Sequence, residues 1–182
     1  LYETVHVTVS DKYGGYKPLR IEGSTQLDLI REYVDGAIPP YLTIDFSEDG
    51  NGREFVLDGW SGPEKGHTWT IGRRSTVAFT PPDDRRDYTV EFLLWPFIVE
   101  RRHPEQKLEI WLNDSELGVY VVSRQSYLTC QMPASLLSRR APAVLRFEHP
   151  DAARPCDFGL SDDRRDLGLA FKKLKIVAVA DC

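Results

Sequence analysis

At 182 residues the chain is long enough for one substantial core, and we expect a single domain over 1–182, cut from a longer protein because it opens mid-strand at Leu1-Tyr2. A net charge of −5 argues against nucleic acid as a partner, since a phosphate backbone calls for a basic face. No apolar run approaches the roughly 18 residues of a membrane span, and three cysteines without a CxxC spacing make neither a disulfide framework nor a zinc site.

Near the start, Ser24 or Thr25 can cap a short helix over Gln26 to Val34, with Leu27, Ile30 and Val34 on one face and Gly36 ending it. From there period two takes over. Leu42, Ile44 and Phe46 alternate with Thr43 and Asp45, and Asp49-Gly50-Asn51-Gly52 then offers positive-φ residues for a tight reversal. After the Pro81-Pro82-Asp83-Asp84 loop, Val90, Phe92 and Leu94 share one parity, and Trp95 before Pro96 reads as core. Leu108, Ile110 and Leu112 follow, and Asn113-Asp114 turns the chain back as a hairpin. Leu128, Cys130 and Met132 form the next face, with Cys130 a small buried hydrophobe. Pro133 opens a single helical turn through Leu137, and Leu145 with Phe147 mark another strand. The last run changes parity, from Leu167, Leu169 and Phe171 to Leu174, Ile176 and Ala178, so a bulge or a change of sheet falls at Lys172-Lys173. About ten short alternating strands with one or two short helices predict an all-β, antiparallel two-sheet sandwich, jelly-roll-like. A sandwich of this kind resembles the fold of carbohydrate-binding modules.

Three constellations carry chemistry. Trp60, Glu64, His67 and Trp69 lie within Gly59-Trp60-Ser61-Gly62-Pro63-Glu64-Lys65-Gly66-His67-Thr68-Trp69. An indole face stacks on the apolar C–H face of a pyranose, while carboxylate and imidazole meet its hydroxyls. Trp60 and Trp69 each have a competing structural role, Trp60 as a plug at the end of the core, and Glu64 can instead satisfy loop amides. Trp111 stands between Glu109 and Asn113 on the wetter face of its strand, either covered or offered to a ligand. The run from Pro155 to Gly168 interleaves Asp162, Asp163 and Asp166 with Arg164 and Arg165. It reads as a loop of ion pairs before it reads as a set of oxygen ligands for a structural Ca²⁺. No catalytic motif is present, and no pair of histidines has metal-ligand spacing.

The order Leu42-Thr43-Ile44-Asp45-Phe46-Ser47, then Gly59-Trp60 with Glu64, Gly66 and Trp69, then Pro96-Phe97, together with the close from Pro150 to Ala170, resembles an accessory β-sandwich domain of bacterial surface-polysaccharide proteins. Such domains sit at the C-terminus of phosphoglycerol-transferase-like membrane proteins and beside glycosyltransferases. The resemblance runs from about Leu42 to Ile176 and departs from the family at Lys65 and at Arg154-Pro155. It implies a non-catalytic module without a cofactor, bound to an oligo- or polysaccharide and covalently linked to a catalytic domain. The expected contacts are Trp60, Glu64, His67, Trp69 and Trp111, with Asp162 and Arg164 shaping the neighbouring loop. The alternative is a structural domain that packs on a catalytic partner or mediates oligomerisation. The sparse, odd cysteines favour the bacterial cytoplasm, at the membrane, over the periplasm.

Overall fold

A computed structural model of the chain describes residues 7–10, 16–19, 41–81, 86–138 and 141–179. The chain divides into two compact units, Leu1–Pro39 and Pro40–Cys182. In the first, β1 (Val7–Ser10) and β2 (Tyr16–Leu19) pair as an antiparallel ribbon with Val7 opposite Leu19. The helix expected over 26–34 lies outside the described residues, as do Cys182 and the centre of the Pro81–Asp84 loop.

The second unit is built from β3 (Leu42–Asp45), β4 (Thr68–Ile71), β5 (Arg74–Phe79), β6 (Tyr88–Pro96), β7 (Gln106–Leu112), β8 (Ser115–Val122), β9 (Ser126–Met132), β10 (Ala143–Glu148) and β11 (Leu167–Ala178). All its pairings are antiparallel, in one sheet of order β5-β10-β7-β8 and another of order β3-β11-β6-β9 with β4 also on β11. One rule generates most of this. From β4 onward the first strand pairs with the last, the second with the second-last, and so on inward to β7 with β8. That is one long hairpin folded across itself into two sheets, the arrangement of a jelly roll.

The alternation read from the sequence is the alternation of burial. Val90, Phe92 and Leu94 of β6, Leu108, Ile110 and Leu112 of β7, and Leu145 and Phe147 of β10 have essentially no exposed surface. Between the sheets Phe92, Phe147, Phe171 and Phe46 form a chain of rings with centroids 4.9–5.8 Å apart, tilted or edge to face, as aromatic quadrupoles prefer. Cys130 is buried with them, and burial pushes its thiol up to about 12. The parity change in the last strand is a bulge. Phe171 opposes Leu94 and Lys173 opposes Leu93, so Lys172 has no partner on β6. Both halves of β11 thereby keep their apolar residues in the core.

Helical structure among the described residues is limited to three single 3-10 turns, at Gly52–Glu54, Ala134–Leu136 and Pro155–Phe158. The second of these follows Pro133, as expected. Asn113-Asp114 does make the β7–β8 turn, with Asn113 at φ +53°. Gly50 and Gly52 correct the sequence reading, because neither takes a positive φ. They are needed for space instead, since a Cβ on either would collide with the Asp45 carbonyl oxygen.

Candidate functional site

The segment singled out in the sequence is an irregular hairpin leading into β4. Glu64 and His67 exchange backbone hydrogen bonds around Lys65-Gly66, Ser61 N–H donates to Trp69 O at 2.9 Å, and Ile71 N–H donates to Gly59 O at 2.7 Å. Trp60 therefore bridges Thr70, and Thr70 is fully buried. Since successive side chains on a strand point to opposite faces, Trp60 turns inward and Trp69 outward. The two indoles do not converge. Trp60 stacks on Phe46 at 5.0 Å, meets Phe171 and Phe147 edge-on, and donates its Nε1–H to Thr76 O at 2.9 Å. It closes the core, and the structure does not bring it to the other candidate contacts.

Trp69 belongs instead to a row of rings on the outer face of the five-stranded sheet. On β11, Ala170 lies opposite Trp69 of β4 on one side and Trp95 of β6 on the other. This small, fully buried residue separates two half-buried indoles. His67 fits against both, 5.4 Å from Trp69 and 4.9 Å from Trp95. The row continues from Trp69 to Phe97 at 6.5 Å, then to Phe158 and His103 at 6.2 and 6.1 Å, and ends with the Arg102 guanidinium 5.1 Å over Phe158. Gln106, itself buried, holds the far end by donating to Phe97 O and contacting His103 Nε2, each at 2.8 Å.

Charge gathers at the near end. Glu64 Oε2 is 3.4 Å from His67 Nε2, and Glu64 Oε1 is 3.7 Å from an Arg165 guanidinium nitrogen. Burial lowers the His67 pKa, against the opposing pull of Glu64, so the ring is neutral at neutral pH. Arg165 also grips Asp163 with three hydrogen bonds from its side chain, the shortest 2.6 Å, and Arg154 pairs with Asp166 at 2.8 Å. Guanidiniums take these carboxylates, and among the described residues no three His, Cys, Asp or Glu side chains gather as metal ligands would. Asp162 and Arg164 are exposed, and it is Asp163 and Arg165, one position on, that face this cluster.

Trp111 is on the other sheet. It is half-buried on the outer face of β7, with the Arg146 guanidinium of β10 lying 4.9 Å over its ring. The structure thus brings Glu64, His67 and Trp69 together and leaves Trp60, Trp111, Asp162 and Arg164 elsewhere. It adds Trp95, Phe97, His103 and Arg165. Trp95 was detectable by counting, since it has the opposite parity to Val90, Phe92 and Leu94, but the adjacent Leu93-Leu94 pair hides that period. Nothing local in the sequence links Arg165 to Glu64, which is 101 positions earlier.

No family model and no curated protein sequence matches the chain. Among solved structures it is similar to the C-terminal family 6 carbohydrate-binding module of a marine laminarinase from Zobellia galactanivorans (10% identity, 75% of this chain and 98% of that one, TM-score 0.43). It is also similar to the N-terminal tandem of family 22 carbohydrate-binding modules of a Paenibacillus barcinonensis protein (13% identity, 80% and 46%, TM-score 0.48). A third is a family 115 4-O-methyl-α-glucuronidase with specificity for decorated arabinogalactans (12% identity, 78% and 18%, TM-score 0.46), so the chain spans under a fifth of that enzyme. None of these fixes a residue or a ligand for this chain.

Proposed function

We propose that the chain is a non-catalytic saccharide-binding module whose ligand lies on the outer face of the five-stranded sheet. The observation that carries this reading is the cross-strand row Trp69–Ala170–Trp95, with His67 wedged against both indoles and Glu64 and Arg165 at its edge. The indoles offer apolar faces to sugar C–H groups. The neutral imidazole, the 43%-exposed Glu64 carboxylate and the Arg165 guanidinium offer acceptors and donors for hydroxyls. A ligand here needs no acid–base pair, and Glu64, Asp163 and Asp166 beside the row are paired with Arg165 and Arg154. The resemblance of residues 42–47, 59–69 and 150–170 to accessory domains of surface-polysaccharide proteins supports a role beside a covalently linked catalytic domain of that biosynthesis.

The test is a glycan array that includes bacterial surface polysaccharides, followed by titration calorimetry. Trp69→Ala and Trp95→Ala are each expected to weaken the captured glycan at least tenfold without lowering the melting temperature enough to unfold the domain. The reading is lost if no glycan is captured, or if both variants bind as the parent does.

A second reading, an interaction domain that packs on a partner, rests on the edge strand β8. There Val119 and Val121, two positions apart on one strand, are 47% and 64% exposed. Replacing both with Lys should then abolish co-purification with the adjoining catalytic domain while leaving glycan capture intact.

A further inference from the structure

The outer face of the four-stranded sheet carries a separate groove of about 350 Å³, at the small end of the range for small-molecule sites. Its floor is set by strand register. Glu148 of β10 stands between Arg74 of β5 and Glu109 of β7, and Arg146 stands beside Trp111 in the next rung. Two carboxylates directly opposite one another repel, so the pair at 109 and 148 requires cations around it. It has them. Arg74 Nε donates to Glu148 Oε1 at 2.8 Å, Arg146 Nε lies 3.1 Å from the same oxygen, and Lys107 Nζ donates to Glu109 Oε1 at 2.6 Å. The Lys107 hydrogen bond holds the Glu109 carboxyl below the usual carboxylate range.

The cations outnumber what the carboxylates need. Arg73, at the rim, is exposed and makes no ion pair among the described residues, and Arg74 and Arg146 share one oxygen of Glu148. Three guanidiniums thus line the groove with two carboxylates on a chain whose net charge is −5, and Lys107 beside Glu109 is also under the influence of Asp151 and Glu116. Two buried N–H groups of the groove wall make no well-aligned hydrogen bond, Arg146 Nε although it lies 3.1 Å from Glu148 Oε1 and Trp111 Nε1 although its side chain acts on the Glu109 carboxylate. A ligand oxygen entering the groove would give both a better-aligned acceptor.

We infer that this groove binds an acidic saccharide, a uronic-acid residue whose carboxylate meets Arg73 and Arg74. The remaining features select that class over a bare anion. Glu109 and Glu148 would repel a dense dianion such as sulfate or phosphate, whereas sugar hydroxyls can donate to those same carboxylates. Pro150 and the edge of Trp111 give the ring an apolar wall. A planar carboxylate fits the guanidinium fork with two parallel hydrogen bonds.

The experiment titrates the full chain with trimers of galacturonate, glucuronate and mannuronate, with the methyl ester of each, and with sulfate as competitor. At least one free-acid trimer is expected to bind ten times or more tightly than its ester, with affinity falling as salt rises. Arg73→Ala, which breaks no internal ion pair, is expected to weaken it fivefold or more, and Trp69→Ala to leave it unchanged. Silence from all three acids, equal binding of acid and ester, displacement by equimolar sulfate, or an unaffected Arg73→Ala would each overturn the assignment. Binding lost in Trp69→Ala but kept in Arg73→Ala would also overturn it, and would place the acidic sugar on the aromatic row of the opposite sheet.

Discussion

Trp60 touches Phe46, Phe147 and Phe171 at once and satisfies its indole N–H on the Thr76 carbonyl, so its ring ties both sheets to the hairpin that precedes β4. Truncating a buried Trp to Ala typically costs about 3–5 kcal/mol, and a half-buried one the lower end of that range. Trp60→Ala is therefore expected to lose about 3 kcal/mol in urea unfolding, and Trp60→Phe about half as much. The folded fraction of either variant should capture glycan like the parent. Trp69→Ala, whose ring packs on the outer face of one sheet and not between the two, should lose binding at a smaller stability cost than Trp60→Ala. Equal stability losses for the two would mean that Trp69 is a core residue as well. Gly59, beside Trp60, sits at φ +78° with the Arg74 carbonyl against its Cα, a position no other residue can take without moving β5.

At the scale of the element, β11 shows most clearly how one residue sets a register. Because Lys172 has no partner on β6, the apolar set changes from odd positions at Leu169 and Phe171 to even positions at Leu174 and Ile176 without leaving the core. Deleting Lys172 would turn Leu174 and Ile176 outward or force Phe171 out, and either exposes two or more core side chains. The deletion is expected to leave no cooperative thermal transition by circular dichroism, whereas Lys172→Ala should melt close to the parent. This bulge was legible in the sequence because parity is a local property and both halves of the strand obey it. So were the faces of β6, β7 and β10. The candidate site was legible only in part. Trp69, His67 and Glu64 are near neighbours in the chain, and their chemistry could be read together. The inward turn of Trp60 follows from its bridge to Thr70, and the closeness of Trp95 and Arg165 follows from β6, β4 and the closing loop meeting around β11. Those are long-range pairings that period and spacing do not encode.

For the whole molecule, one buried group gives the stability a pH dependence. His149 has no exposed surface and meets Ser75 Oγ through Nε2 at 3.0 Å, while Gly168 lies so close that a Cβ there would come within 2.8 Å of Nδ1. Burial pushes its pKa from 6.5 down to about 4, and backbone groups of Gly72 and of His149 itself offset this only in part. The unfolded chain takes up this proton near pH 6.5 and the folded chain only near pH 4. Stability from this residue is therefore complete above about pH 6.5, falls as the pH drops through the interval to about 4, and changes no further below it. Between pH 7.5 and 5 the loss should be about 2 kcal/mol in urea unfolding. His149→Gln should flatten that slope, and an identical slope in parent and variant would remove His149 as the cause.

The nested pairing of first strand with last also determines when the fold can close. β11 is an interior strand of its sheet, hydrogen-bonded to β3, β4 and β6, yet it is the last of the described strands to be made. Until residues 167–178 have left the ribosome, those three strands present open edges and the aromatic core lacks Phe171. Most of the sandwich must therefore wait for its final segment, with the slow, long-range closure that such contacts impose and a window in which unpaired strands are open to the wrong partner.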